Sequence, residues 1–180
     1  MITKLINLLT FSRIIFAIVI FIFLALEQNY LFALLLFFIS GLTDFFDGFL
    51  ARKYKTSSEL GEILDPLADK ILIIFVFIGL AVNLSSFVIG FAASLMISRE
   101  IWISALRDFN ARNNNTNATK VIYIAKIKTS IQLFTIFIYL FGLGINNMLL
   151  IIIGDIFIVI SVLITIYTGY IYTINSFNKN

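Results

Sequence analysis

Three long stretches of the sequence contain no charged residue, and they constrain the fold more than any other feature. They cover residues 71–98, 129–154 and 156–178. About 18 apolar residues without charge are enough to cross a lipid bilayer as a helix. The composition agrees, because 13% of the 180 residues are charged and 61% are hydrophobic, whereas soluble domains carry about 25% charged residues. The sequence therefore predicts an all-α integral membrane protein.

Polar clusters divide the chain into six predicted helices. Clusters of Asn, Ser, Gln and Glu at 27–29, 83–86, 113–117 and 146–147 are typical of turns. The run 71–98 is too long for one ordinary span, so we divide it at 83–86. The predicted helices extend over residues 8–26, 31–54, 62–82, 86–110, 122–143 and 148–174. We expect all six to be transmembrane helices of a single membrane domain, residues 1–180.

The basic residues predict the orientation of these helices. With the N-terminus inside the cell, all 13 Lys and Arg residues lie on the inner side, and the outer loops 27–30, 83–86 and 144–147 contain none. Cytoplasmic loops of membrane proteins carry such an excess of Lys and Arg. We therefore expect a cell (inner or cytoplasmic) membrane protein with both termini and the active site facing the cytoplasm. The net charge of +3 is small, and we expect no nucleic-acid partner.

The chain contains neither cysteine nor histidine. This excludes disulfides, thiolate nucleophiles, Ser-His-Asp triads and zinc sites built from His or Cys. Any catalysis must use carboxylates, hydroxyls, Lys, Arg or a hard metal ion.

Four of the ten acidic residues fall close together in the sequence. Asp44 and Asp47 are three residues apart near the end of the second predicted helix, so they share one helix face. Asp65 and Asp69 are four apart, and we expect Asp65-Pro66 to begin the third helix, since Asp favours the N-cap and Pro the first turn. Two antiparallel helices would bring the four carboxylates together at the membrane surface. Such an all-oxygen site favours Mg²⁺ or Mn²⁺, with Ca²⁺ possible.

Small residues lie one helical turn from these aspartates. They are Gly48, Ala51 and Gly61, and their missing side chains would let a ligand approach the backbone. The alternative interpretation is that the aspartates are ordinary solvated acids at helix ends. Two facing pairs, spaced small residues and nearby basic residues favour a functional site.

The spacing of these residues resembles a known family signature. The pattern is Asp44-x₂-Asp47-Gly48-x₂-Ala51-Arg52-x₈-Gly61-x₃-Asp65-x₃-Asp69. It is similar, without a gap, to the signature of the CDP-alcohol phosphatidyltransferases. The resemblance implies six transmembrane helices, a homodimer in the lipid bilayer, and a reaction that joins a CDP-linked lipid to an alcohol and releases CMP.

The resemblance also implies roles for individual residues. Asp44, Asp47 and Asp65 would be ligands of Mg²⁺ (or Mn²⁺), and Asp69 would be the catalytic base as well as a metal contact. With no histidine available, a carboxylate is also the plausible base on chemical grounds. The CDP-diacylglycerol contacts would be Asn7, Thr10, Gly48, Ala51, Arg52, Ser58 and Gly61.

Two further motifs resemble the phosphatidylglycerophosphate synthases within this family. One is Ser98-Arg99-Glu100-Ile101-x₂-Ser104-x-Leu106-Arg107, and the other is Lys126-x-Lys128-Thr129-x₂-Gln132. They imply that the acceptor is glycerol 3-phosphate, whose phosphate would bind Arg107, Lys126 and Lys128. The same cations would also satisfy the positive-inside pattern without binding a substrate.

Two alternatives remain open at the level of sequence. The same chemistry could use another acceptor, namely serine, inositol phosphate or phosphatidylglycerol. More remotely, the aspartates could form the ion site of a cation transporter, although transporter sites usually lie near the middle of the membrane.

Overall fold

The computed structural model describes residues 2–54, 59–119 and 123–177. Within these ranges the chain forms six long helices, as the sequence predicted, and the predicted ends lie within a few residues of the observed ones except at the start of the first helix. The first helix continues into a five-residue π turn, Phe23–Glu27, and a short 3₁₀ turn, Thr116–Thr119, precedes the fifth. The six are α1 (Ile2–Ile22), α2 (Tyr30–Tyr54), α3 (Glu59–Asn83), α4 (Phe87–Arg112), α5 (Tyr123–Gly144) and α6 (Met148–Phe177).

The predicted polar breaks are the helix ends. Ser85, Asn114 and Asn146 each adopt a positive φ of about 50° immediately after a helix. At each one, backbone N–H groups turn back onto the last helical carbonyls, as in the bonds from Ser86 N to Ala81 O. This Schellman arrangement satisfies carbonyls that would otherwise be buried without partners. Polar residues at these positions therefore end the helices without glycine.

The residue after the left-handed one begins the next helix. Ser86 Oγ accepts a hydrogen bond of 3.4 Å from the N–H of Ile89, and Asn147 Oδ1 accepts one of 3.0 Å from Leu149. Side-chain oxygens at this position satisfy free N–H groups of the first helical turn. Each tight turn thus needs one residue with a positive φ and one residue whose side chain caps the next helix. Because both residues are polar and adjacent, the turns could be predicted from the sequence.

The predicted boundary at residue 62 lies close to the observed start of the third helix, but the expectation that Asp65-Pro66 begins this helix is wrong. Helix α3 begins at Glu59 and contains Pro66 in its interior. Pro66 is exposed, and its missing N–H removes one backbone hydrogen bond from the helix. Gly61 and Ala68 are buried on either side, so packing keeps the segment helical despite the proline. Asp65 and Asp69 consequently project from the body of a helix.

Within the described ranges, helix α1, continued by the π turn, packs against α2 and α3 rather than against α4, α5 or α6, while α6 packs against α4 and α5. Its buried residues follow one another at intervals of three or four, which places them on a single stripe. The stripe consists of Ile6, Thr10, Arg13, Ala17, Ile20 and Leu24.

The outer surface of the bundle is apolar. Large side chains such as Phe87 and Leu26 are 83% and 76% exposed, which no water-soluble fold would tolerate in this number. Among the residues that the structure describes, five helical segments are long and apolar enough to cross a membrane: Ile6–Glu27, Tyr30–Tyr54, Phe87–Arg112, Asn117–Gly144 and Met148–Phe177. The protein is therefore a multi-pass membrane protein.

Candidate active site

The four aspartates of the predicted site surround the guanidinium group of Arg13. Arg13 Nη1 donates to Asp44 Oδ1 at 2.6 Å and also to Asp69 Oδ1. Its Nη2 donates to Asp47 Oδ2 at 2.7 Å and to Asp65 Oδ1 at 3.3 Å. The two aspartates of α2 and the two of α3 thus converge on one residue of α1. We call these five residues the acidic cluster.

Burial differs sharply within the acidic cluster. The side chain of Arg13 is 1% exposed and that of Asp47 is 3% exposed. Asp44, Asp65 and Asp69 are each about half exposed. The cluster is therefore closed toward the core and open on the other side, where three carboxylates can be reached by a ligand.

Thr10 lies one turn before Arg13 on the same buried stripe. Its Oγ1 is 2.6 Å from Asp65 Oδ1, 3.2 Å from Asp47 Oδ2 and 3.2 Å from the carbonyl of Ile6. A hydroxyl has one proton to donate, and the shortest distance assigns it to Asp65. Thr10, predicted as a substrate contact, therefore bonds directly to the aspartates.

The other predicted lipid-nucleotide contacts are distributed around this cluster. The Arg52 guanidinium folds back over Gly48, with Nη1 3.7 Å from the position that a Cβ would take there. Ala51 is half-buried and Gly61 is buried, while Asn7 is half-buried on α1. Ser58 lies outside the described residues. A bulkier residue at position 48 would contact Arg52.

A cavity of about 450 Å³ adjoins the acidic cluster. It lies between α3, α4, α5 and α6, and Asp69 forms part of its wall. All three residues predicted to bind the acceptor phosphate line it: Arg107 from α4, and Lys126 and Lys128 from α5. Its charged lining residues are Asp69, Lys70, Arg99, Glu100, Arg107, Lys126 and Lys128. The structure thus brings the three predicted cations together beside the predicted base.

Glu100 balances the charge of this cavity. Its carboxylate pairs with Lys128, with Arg99 at 2.9 Å and with Lys70 at 3.0 Å. Arg99 also donates to Thr168 Oγ1 at 3.2 Å. The carboxylate therefore connects α4 to α3 and α5, and Arg99 connects α4 to α6.

Sequence reasoning missed the positions of Arg13 and Glu100. In the sequence, Arg13 is only one of the 13 basic residues that define the orientation. The signal that could have identified it is its place on the apolar stripe of α1, four residues before Ala17. Glu100 appeared only as part of a motif, because its three partners lie on neighbouring helices or next to it in the sequence.

The donor set of the acidic cluster suits a hard cation. Four carboxylates and one guanidinium leave a formal charge of −3, and carboxylate oxygens are the ligands that Mg²⁺ and Mn²⁺ prefer. In the described part of the chain, no three acidic side chains enclose a position ready for a metal ion. The guanidinium group lies between the carboxylates instead.

We expect Glu100→Gln to lower the stability of the protein strongly. The change leaves Lys128, which is 5% exposed, without a carboxylate partner. An uncompensated buried charge costs about 3 kcal/mol or more. Thermal unfolding of purified protein in detergent, followed by circular dichroism, measures the loss.

The matched control is Asp108→Asn. Asp108 pairs with Arg112 at 2.7 Å, but both side chains are more than half exposed, so the change should cost no more than about 1 kcal/mol. Equal unfolding temperatures for the two variants would contradict the role assigned to Glu100.

Comparison with known proteins identifies the family of this chain. Residues 4–167 match the family model of the CDP-alcohol phosphatidyltransferases. A protein of Blochmanniella floridana is 38% identical over 144 residues, which cover 79% of this chain and 74% of the relative. A protein of Rickettsia bellii is 40% identical over 139 residues, or 77% and 75% of the two chains.

A third relative, from Wigglesworthia glossinidia brevipalpis, is 40% identical over 132 residues, or 72% of each chain. All three relatives carry the name CDP-diacylglycerol–glycerol-3-phosphate 3-phosphatidyltransferase. With the family match extending over most of its length, the chain belongs to the CDP-alcohol phosphatidyltransferase family.

Proposed function

We propose that this protein transfers the phosphatidyl group of CDP-diacylglycerol to glycerol 3-phosphate, forming phosphatidylglycerophosphate and releasing CMP. The relatives named above are named for this activity. The observation that carries the proposal is the position of Asp69. It belongs to the acidic cluster and also lines the basic cavity, so one carboxylate faces both proposed substrate sites.

The basic cavity is the proposed site of glycerol 3-phosphate. Arg107, Lys126 and Lys128 line it together, and Arg and Lys are the side chains that bind phosphate dianions. Arg107 and Lys126 are exposed whereas Lys128 is buried and held by Glu100. The two exposed cations are therefore free to turn toward the phosphate, while Lys128 supplies a fixed positive charge.

The proposed base is Asp69. With the acceptor phosphate held in the cavity, the terminal hydroxyl of glycerol 3-phosphate would face this carboxylate. Asp69 takes the hydroxyl proton as the oxygen bonds to the lipid-side phosphorus, and the bond from that phosphorus to the oxygen of CMP breaks. Positioning by the cavity makes the attack effectively intramolecular.

The acidic cluster is the proposed site of Mg²⁺ (or Mn²⁺) and of the pyrophosphate of CDP-diacylglycerol. Asp44, Asp47, Asp65 and Asp69 would hold the ion. Bound there, it would supply positive charge to the pyrophosphate oxygens and the departing CMP. Arg52, whose guanidinium lies beside Gly48, would donate to the same nucleotide, and Asn7, Ala51, Ser58 and Gly61 would be further contacts, as the family resemblance implies.

We further propose that residues 1–180 form one membrane domain with six spans. These are the five apolar segments named above and α3. Its 25 residues extend about 37 Å, and it packs closely along α1. At its far end, Asn83 Nδ2 donates to the carbonyl of Leu24 at 2.9 Å, and Asn83 Oδ1 accepts from Tyr30 at 3.1 Å. The end of α3 therefore lies level with the turn between α1 and α2.

On the same proposal both termini and the active site face the cytoplasm, and the enzyme is a homodimer in the cell membrane, as the family resemblance implies. The distribution of Lys and Arg supports the orientation, since every basic residue then lies on the inner side.

The first test measures CMP release by purified protein in detergent with CDP-diacylglycerol and Mg²⁺. Glycerol 3-phosphate, serine, inositol phosphate and phosphatidylglycerol are supplied separately. We expect release with glycerol 3-phosphate, its loss on chelation of the metal, and a decrease of about 10²–10⁴-fold in Asp69→Asn because the proton acceptor is lost.

Asp108→Asn, which removes an exposed aspartate outside both sites, is the control and should keep full activity. Release with a different alcohol would retain the chemistry and refute the acceptor. Cation flux through reconstituted protein without CMP release would favour the transporter alternative.

Removal of a cationic side chain from the cavity should weaken the binding of glycerol 3-phosphate without affecting CDP-diacylglycerol. We expect Arg107→Ala or Lys126→Ala to raise KM for glycerol 3-phosphate about 10–100-fold, since a hydrogen bond between charged groups contributes about 1.5–3 kcal/mol. KM for CDP-diacylglycerol should change little. Arg112→Ala, an equally basic position that does not line the cavity, is the matched control, and an equal effect there would refute the site.

Orientation can be tested cleanly because the chain has no cysteine. We expect a membrane-impermeant maleimide, added to intact cells, to label Glu27→Cys and to leave Asp108→Cys unlabelled until the membrane is permeabilised. Both positions are exposed. The reverse pattern would invert the proposed orientation, and labelling of both in intact cells would contradict the number of spans.

A further inference from the structure

A fully buried arginine stands where the proposed metal ligands converge. Arg13 has 0% exposure, and its two terminal nitrogens contact all four aspartates. We propose that Arg13 is an internal counterion that holds the four aspartates together in the metal-free protein, and that binding of a divalent cation displaces its guanidinium group. This inference rests on the proposed function, because it requires the acidic cluster to be the metal site.

The hydrogen bonds of Arg13 explain how the four aspartates are held together. The two terminal nitrogens of a guanidinium carry four N–H groups, and the structure gives each of the four aspartates one contact with them. Without a cation among them, four carboxylates gathered around one position would repel one another. Arg13 supplies the positive charge from α1 and keeps the ligands assembled.

The same contacts make Arg13 a competitor of the metal. Its partners are Oδ1 of Asp44, Oδ2 of Asp47, and Oδ1 of Asp65 and Asp69. A Mg²⁺ ion that bound these same four oxygens at about 2.0–2.1 Å would have to lie between them, where the guanidinium group now lies. Two cations at one position also repel each other.

One nitrogen of Arg13 lacks a hydrogen bond in the described structure. The atom is Nε, and it is buried. A buried N–H without a partner is unfavourable, and in the described part of the chain the four aspartates accept all the hydrogen bonds of this side chain. When a stronger cation neutralises them, no other hydrogen bond seen there retains the guanidinium group.

The test measures Mn²⁺ binding without substrate, by electron paramagnetic resonance of free Mn²⁺, in wild-type protein and Arg13→Gln. We expect Arg13→Gln to bind Mn²⁺ at least tenfold more tightly, because the competing cation is gone. Its unfolding temperature without metal should fall, and saturating Mn²⁺ should restore most of the difference. Weaker Mn²⁺ affinity would overturn the proposal, because it is expected if Arg13 positions the metal ligands. Unchanged affinity would also overturn it, because it is expected if Arg13 has a purely structural role.

The matched control is Arg99→Gln. Arg99 is also a largely buried arginine that pairs with a carboxylate, but it contacts Glu100 and none of the four aspartates. Its Mn²⁺ affinity should equal that of wild type. A tenfold gain there as well would show a general effect of net charge and overturn the specific role of Arg13.

Arg13→Lys keeps the proposal testable if the glutamine variant does not fold. Lysine retains the charge but has one compact ammonium group, which cannot contact four carboxylates with the geometry of a guanidinium fork. We expect Mn²⁺ affinity at least threefold above wild type, and affinity at or below wild type would refute displacement.

Absence of Mn²⁺ binding in every variant would overturn the metal site and the Arg13 proposal with it. Metal-dependent CMP release by the wild type separates the two outcomes. If release needs the metal and Arg13→Gln does not bind it more tightly, the proposed function stands and the counterion role fails.

Discussion

The structure depends on one arrangement of charge, four carboxylates around a single buried guanidinium group. Arg13 and Asp47 are almost wholly enclosed by apolar helices, where an isolated charge of either sign would be prohibitively costly. Each is tolerated because the other is present. Since the partners come from α1, α2 and α3, satisfying this charge also determines how the three helices approach one another. The same contacts therefore stabilise the packing of these three helices and determine the geometry of the candidate site.

The two candidate sites have opposite charge and meet at Asp69. On one side lies a cluster with an excess of negative charge, and on the other a cavity whose cations outnumber its acids. Glu100 limits that positive excess by pairing with Lys128, Arg99 and Lys70. A metal-bound pyrophosphate and a phosphate dianion could thus be held side by side without direct repulsion. This separation is what the proposed transfer between two anionic substrates requires.

Local patterns predicted the features that depend on neighbouring residues. The turns were found because Ser85 and Asn146 end helices and Ser86 and Asn147 begin them through contacts within a few positions. The same kind of rule was wrong at Pro66, which favours a helix start but lies inside α3. There the burial of flanking residues against neighbouring helices outweighs the loss of one backbone hydrogen bond, and the sequence preference has no information on that packing.

The sequence by itself determined the membrane class, the six helices and the two aspartate pairs, because apolar length and helical spacing are properties of single segments. The family signature added the proposed roles of the aspartates. Only the tertiary structure decided that Arg13 lies among them, and that Glu100 joins cations from separate helices. Those contacts arise when the apolar stripe of α1 is buried against α2 and α3, which brings residues more than 30 positions apart into hydrogen-bond contact. Such proximity is decided by how whole helices pack.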